Sequence, residues 1–311
     1  HAAAGAPAVE PDWRHLPAVT VDPGDPASSL VLNVTRLGDP ALRLAMLREA
    51  AEHGRVPDTA EARLSLARAL IETEAYREAD ERLAGAAGAH PHDWRAGWYR
   101  GLSLLAQGRA AGAREEFERV CSRLPGELAP KLALGLAAEL DGDLAAAAGQ
   151  YEVVAATDPG FTSASFGLAR VRQAQGDWRG AVAAYDAVPP TSGLHVEARL
   201  AAARTLMGGP GDRDRGAEEL ARAAAIVEHL ALERRRRAEL AVELLEVALA
   251  RLQAGQLEPG AGVLVLGQPL EEVPLRVALE RSYRELARLA TRGERIRLVD
   301  RANQVRPETR R

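Results

Sequence analysis

The 311-residue sequence predicts an all-α chain, a solenoid of stacked helix–turn–helix units closed by additional C-terminal capping helices. Three observations lead there. Several columns of residues recur every 34 positions: Gly108, Gly142 and Gly176; Ala79, Ala113, Ala147 and Ala181; Leu83, Phe117, Tyr151 and Tyr185; Ala86, Val120, Val154 and Val188; Pro91, Pro125 and Pro159. Hydrophobic residues make up 47% of the chain but aromatics only 4%, and an alanine-rich apolar content suits closely crossing helices better than β-branched sheets. After the regular region, apolar residues continue at helical spacing without the full set of columns, as expected of a cap on a repeat array.

Each column has a physical role. The glycine lets the chain turn sharply after a first helix, where a side chain would be strained. The alanine marks the close crossing of the two helices, and the large residue four positions on fills the gap to the next unit. The proline then ends the second helix. Alanine, a large apolar residue four later and proline eight beyond it is the tetratricopeptide pattern, a 34-residue helix–turn–helix repeat that builds a right-handed superhelix. The units run about 60–93, 94–127, 128–161 and 162–195, and each needs its neighbours to bury its apolar face.

The flanks complete a three-part organisation. Residues 1–37 read as a proline-rich linker or strap, with Pro7, Pro11, Pro17, Pro23 and Pro26 among small residues. Residues 38–195 hold an N-terminal helix, starting at Asp39 as N-cap with Pro40 in the first turn and ending at Gly54, plus the four units. Residues 196–311 hold further repeat-like and capping helices at 196–207, 216–230, 233–254, 274–291 and 293–304, with a loop at Gly208-Gly209-Pro210-Gly211. His1 stands where an initiating methionine would, which leads to the expectation of a segment cut from a longer polypeptide.

Catalytic chemistry is missing from this pattern. Of the 40 basic residues only Lys131 is a lysine, and Leu132 follows it inside a repeat helix, so no phosphate-binding Gly-Lys-Ser/Thr loop exists. No Gly-x-Ser-x-Gly elbow, His-Glu-x-x-His pair or kinase Asp-Phe-Gly is present. The single cysteine, Cys121, rules out a disulfide framework or a four-cysteine zinc site and reads as a packed thiol. His90-Pro-His92-Asp93 reads as an inter-repeat turn rather than a metal site. No cofactor is therefore expected in this chain. A net charge of −4 argues against a nucleic-acid partner, no apolar run is long enough to span a membrane, and without a signal-peptide order a cytoplasmic location is expected.

Charged clusters offer weaker leads. Arg234 to Arg237 open a helix and have carboxylates in reach at Glu233, Glu239 and Glu243. Arg281, Arg284, Arg288, Arg292 and Arg295 form a basic stripe opposite Leu279, Tyr283, Leu286 and Ala290, read as a solvated helix face or a docking surface for an acidic partner. The repeat geometry is more specific. First helices line the concave face, and their ninth positions hold Arg68, Leu102, Leu136, Arg170 and Arg204, with Glu139 and Gln173 three residues further along their units. Arg68, Arg170, Arg204, Glu139 and Gln173 are thus the candidate groove residues. The arginines would favour a carboxylate or phosphate on a partner, or the groove is an ordinary solvated one.

Several stretches resemble a known family: Pro125-Gly-Glu-Leu-Ala-Pro-Lys-Leu-Ala-Leu134, Phe166-Gly-Leu-Ala-Arg170, Val188-Pro-Pro-Thr-Ser192, Leu298-Val-Asp-Arg-Ala-Asn-Gln-Val-Arg-Pro307, and Trp94-Arg95 with Trp98-Tyr99-Arg100. They are similar to the C-terminal region of the actinobacterial serine/threonine protein kinase G (PknG) family, over most of residues 18–307, with Val21-Asp-Pro-Gly-Asp-Pro26 in the place of the link after the kinase domain. The resemblance implies a regulatory tetratricopeptide domain that stabilises the kinase, contributes to dimerisation and recruits substrate, including a forkhead-associated-domain regulator. It also implies ATP and magnesium use by a kinase domain that no part of this chain matches. The alternative is a stand-alone scaffold that binds an acidic or phosphorylated peptide in its groove.

Overall fold

A computed structural model describes residues 10–89, 92–209, 214–260 and 262–307. The regular secondary structure of the described residues is helical apart from two two-residue strands. It divides into two compact bodies between Gln175 and Gly176, which are described in turn.

In the first body, a 3-10 turn at Trp13–His15 is followed by α1 (Ser28–Thr35) and α2 (Pro40–Glu52). Asp39 caps α2 as expected, accepting from the Ala41 N–H at 2.9 Å. The array follows as the pairs α3 (Ala60–Glu72) with α4 (Tyr76–Ala89), α5 (Trp94–Ala106) with α6 (Ala110–Arg123), α7 (Leu128–Asp141) with α8 (Leu144–Thr157), and then α9 (Thr162–Ala174). Helix starts are fixed by side-chain caps: Thr59 accepts from Ala62 N–H, Asp93 from Arg95 N–H and Asp143 from Ala146 N–H. α6 and α8 stop two residues before Pro125 and Pro159, whereas Pro91 lies outside the described residues.

The repeat columns occupy the places their spacing implies. Ala79, Ala113 and Ala147 are fully buried, as are Leu83 and Phe117, with Tyr151 1% exposed. Trp98 meets the Phe117 ring edge-on, with centroids 5.5 Å apart. The turn column adopts left-handed backbone at Gly108 (φ 71°) and Gly142 (φ 85°), and Glu74, at the same register of the first unit, takes φ 63° without the benefit of glycine.

The strap departs from the sequence reading. Residues 28–35 form a helix, because Ala27, Val31 and Val34 fall on one face and are almost wholly buried, with α1 packed on α2 and α3. The prolines before this segment mask that spacing in the sequence.

The second body holds α10 (Trp178–Asp186), α11 (His195–Met207), α12 (Ala217–His229), α13 (Arg234–Gln253), α14 (Glu272–Leu289) and α15 (Arg292–Val305), close to the expected helices. Here the fourth unit's column residues Ala181, Tyr185 and Val188 are buried, and Gly176 has φ 80°. Pro210 and Gly211 of the expected loop lie outside the described residues. A hairpin of β1 (Leu264–Val265) and β2 (Gln268–Pro269) turns through Leu266 and Gly267, both at positive φ, and drives Val265 and Leu270 into the core. Arg251, 1% exposed, donates to the Met207 carbonyl at 3.2 Å and to that of Arg215, so a buried cation meets the carboxyl end of α11. Three of the four arginines opening α13 are engaged within this body: Arg235 pairs with Glu239 and Glu294, Arg236 with Glu197, and Arg237 donates to the Leu230 carbonyl. In the basic stripe, Arg284 pairs with Glu280 and Arg295 donates to the Ala287 carbonyl.

Candidate peptide-binding groove

The face of the first body built by α3, α5, α7 and α9 carries a column of minimal side chains, Ala67, Gly101, Gly135 and Ala169. They let each second helix come close: a Cβ on Gly101 would lie 2.5 Å from Phe117 Cε1, and one on Gly135 would lie 3.0 Å from the Tyr151 ring. Next in register come the ninth positions. Arg68, Leu102, Leu136 and Arg170 share this body, whereas Arg204 belongs to the other.

Each candidate arginine has a carboxylate inside the chain. Arg68 Nε donates to Glu72 Oε1 at 3.0 Å, and Glu72 also pairs with Arg43 of α2. Arg170 grips Glu139 through two parallel bonds of 2.7 Å, Nε to Oε1 and Nη2 to Oε2. The Tyr151 hydroxyl donates to the same Glu139 Oε2 at 2.7 Å. Burial and then the adjacent Glu139 push the Tyr151 phenol well above its ordinary range. In the second body Arg204 Nε donates to both oxygens of Glu243, at 3.0 and 3.1 Å. Glu243 is therefore committed to Arg204 as well as lying near the arginine run. Gln173 sits exposed in the last turn of α9. Thus Glu139 and Arg170 come together, and the arginines' charge is used within the protein.

The two leucines behave differently from solvated groove positions: Leu102 is 2% exposed and Leu136 5%. The strap covers this face. Trp13 and Leu16, 7% and 8% exposed, join the same apolar cluster as Leu102 and Leu136, and the 3-10 turn packs on α5. Around residues 10–16 the chain lies against Leu132, Leu136, Tyr151, Ser163 and Arg170, leaving a cavity of about 20 Å³, room for a single water. Residues 18–21 then cross toward Glu61, Ser65, Arg68 and Tyr99. The strap therefore runs from α9 and α7 past α5 to α3, opposite to the order of the units.

A polar latch fastens its far end. The Asp22 N–H donates to Glu61 Oε1 at 3.0 Å, and the Glu61 N–H donates to Asp25 Oδ2 at 3.3 Å. Glu61, 5% exposed, is paired with Arg95, its register equivalent in the next unit, and Arg95 in turn grips Asp93 at 2.8 Å. These partners, Asp93 first, hold the Arg95 guanidinium above its ordinary value despite burial. Burial alone would raise the Asp25 carboxyl, but the Thr59 hydroxyl, the Ala27 and Glu61 amides and Arg95 together keep it below the usual carboxylate range.

The spacing argument did not foresee that the strap packs against this face. The only trace in the sequence is an aromatic and a leucine three residues apart, Trp13 and Leu16, in an otherwise small and proline-rich stretch. Chemically, the arrangement can hold a polypeptide segment through apolar side chains. Among the described residues no group of three or more His, Cys, Asp or Glu could hold a metal ion, and no helix is long and apolar enough to cross a membrane. Cys121 is half-buried, and burial raises its thiol.

Comparison with known proteins matches residues 12–309 to the family described as protein kinase G tetratricopeptide repeat. The serine/threonine-protein kinase PknG of Mycobacterium leprae is 38% identical over 92% of this chain and 38% of its own length. That of Mycolicibacterium smegmatis is 35% identical over 94% of this chain and 39% of its own. The chain thus spans under two fifths of the length of these relatives. Among solved structures, the C-terminal part of a TPR repeat-containing protein from Cytophaga hutchinsonii superposes with a TM-score of 0.61 at 12% identity, covering 88% of this chain and 98% of that one. This last likeness concerns the fold alone.

Proposed function

Because the chain belongs to the protein kinase G tetratricopeptide-repeat family, we propose that it is the non-catalytic regulatory region of a PknG-like serine/threonine kinase, acting through protein contacts. Those contacts recruit substrate, stabilise the kinase domain and support dimerisation. A forkhead-associated-domain protein is the substrate type the family resemblance suggests, and ATP and magnesium belong to the kinase domain, not to this region. The observation that carries the reading is the match of almost the whole chain to one contiguous portion of much longer kinases. The array adds a physical reason, since its first-helix face already holds a polypeptide segment, the chain's own strap. An acidic or phosphorylated ligand is less favoured, because Arg68, Arg170 and Arg204 are each engaged with Glu72, Glu139 or Glu243.

The test begins with an immunoblot of native lysate using antibody against this chain. A band far above 33 kDa is expected. The full-length kinase and a version lacking this region are then compared in phosphotransfer to a forkhead-associated-domain protein. Loss of the region should raise the KM for the protein substrate and leave that for ATP alone. A native band at 33 kDa, or an unchanged protein-substrate KM together with unchanged kinase stability, would overturn the proposal.

A further inference from the structure

We infer that the first-helix face of the array is a docking groove for a segment whose 3-10 turn carries an aromatic residue followed three positions later by leucine. Residues 10–16 occupy it in cis, so a partner enters only by displacing this anchor-bearing part of the strap. The inference rests on the reading of this region as a protein-contact module and names the chemistry of its ligand.

The strap has the character of a bound peptide rather than a woven part of the array. Pro11, Pro17 and Pro23 deny it a backbone ladder, and among the described residues its only regular element before α1 is the 3-10 turn at Trp13–His15. Its N-terminal half inserts two anchors, Trp13 and Leu16, into the apolar cluster of the first body, and Leu16 lies with Leu132 and Leu136. Asp12 shapes the anchor-bearing turn by accepting from the Arg14 N–H at 2.9 Å. The hydrogen-bonded latch to Glu61 lies at the other end, at Asp22 and Asp25. Anchor release therefore need not break the latch, and the strap can swing away while remaining tethered.

The groove itself selects this ligand. Leu16 lies with Leu132 and Leu136 around the small cavity between strap and array, so apolar side chains already form its seat. Beside them, Arg170 is held flat against Glu139 and Tyr151, so the rim is polar but electrically balanced. A strongly charged peptide gains little there, whereas apolar anchors gain a buried seat. Tethering sets the gate: a short linker holds the resident segment at an effective concentration on the order of 1 mM. A resident segment that is bound about 20 times as often as it is released weakens the apparent binding of a free segment about 20-fold.

The experiment uses the full chain and a fluorescein-labelled synthetic peptide of residues 10–26, followed by anisotropy. The Trp13→Ala/Leu16→Ala variant should bind the peptide about 20-fold more tightly than the unaltered chain. A peptide with the same two alanine replacements should not bind. Equal affinity of both chains for the peptide, weak or strong, overturns the inference. Because the double variant could lose its fold, amide hydrogen exchange on the unaltered chain is an independent check. Residues 12–16 should exchange at least about 100-fold faster than the α7 amides, the mark of local release. Exchange in step with α7 would make the strap an integral element and sink the gate. Neither readout involves kinase activity, so failure here is distinguishable from failure of the regulatory role.

Discussion

Replacing Arg170 by methionine keeps the apolar stem and removes the charge from a pair whose side chains are 15% and 11% exposed. Glu139 is then left with the Tyr151 hydroxyl as its remaining bond among those described above, in a setting where its carboxylate previously took two bonds of 2.7 Å from the guanidinium. Breaking a fully buried pair costs about 3–5 kcal/mol. The residual exposure screens part of that, so Arg170→Met should cost about 2–3 kcal/mol. Glu139→Leu should cost a similar amount by stranding the arginine. With both charges gone the site becomes apolar, and the double variant should cost no more than either single one, an interaction energy of about 2 kcal/mol. Urea unfolding at pH 7, read by circular dichroism, measures all three. Two single substitutions that each cost less than about 0.5 kcal/mol and simply add would refute the reasoning. That outcome would mean a solvent-screened pair, with the Arg170 charge available to an anionic ligand.

Other predictions test the packing and the latch. Gly101→Ala forces a methyl to 2.5 Å from the buried Phe117 ring and should destabilise by about 1–2 kcal/mol even after the helical gain of alanine. Gly149→Ala, where a Cβ meets nothing within 4 Å, should instead stabilise by about 0.5–1 kcal/mol, and paired thermal melts check the contrast. Glu74→Gly relieves a left-handed residue at φ 63° and should add about 0.5–1 kcal/mol in the same assay. Asp25 has a depressed carboxyl in the folded chain, so its stabilising contribution is complete above the unfolded carboxylate value of about 4. That contribution is lost as pH falls through the lower folded value. Asp25→Asn should therefore flatten the acid side of the stability profile below pH 4 and leave its shape at pH 6–8 unaltered.

The proposed regulatory role and the inferred gate share one structural basis. An array of this kind offers a long apolar face made of side chains that must pack on something, and the strap supplies that cover within the same chain. A partner with comparable anchors competes for the cover rather than for an empty surface.

The repeat was legible in the sequence because its constraints are local and recur. A left-handed turn wants glycine at 108, 142 and 176, a close helix crossing wants alanine at 79, 113, 147 and 181, and a helix stop wants proline at 125 and 159. Each column reports one short-range steric rule, so spacing alone located the helices to within a few residues. The boundaries of the capping helices followed from apolar periodicity in the same way. Pairings across many residues carry no such signature. Nothing in the spacing says that Arg170 turns onto Glu139, that Arg204 meets Glu243, or that Glu61 receives the Asp22 amide. The arginines therefore looked like a charged groove, when packing had brought a carboxylate to each. The strap shows the same limit: its prolines deny it a backbone ladder, but only the tertiary fold brought Trp13 and Leu16 into the apolar cluster that also holds Leu102 and Leu136, because apolar burial is non-directional and is decided by which surfaces the chain can reach.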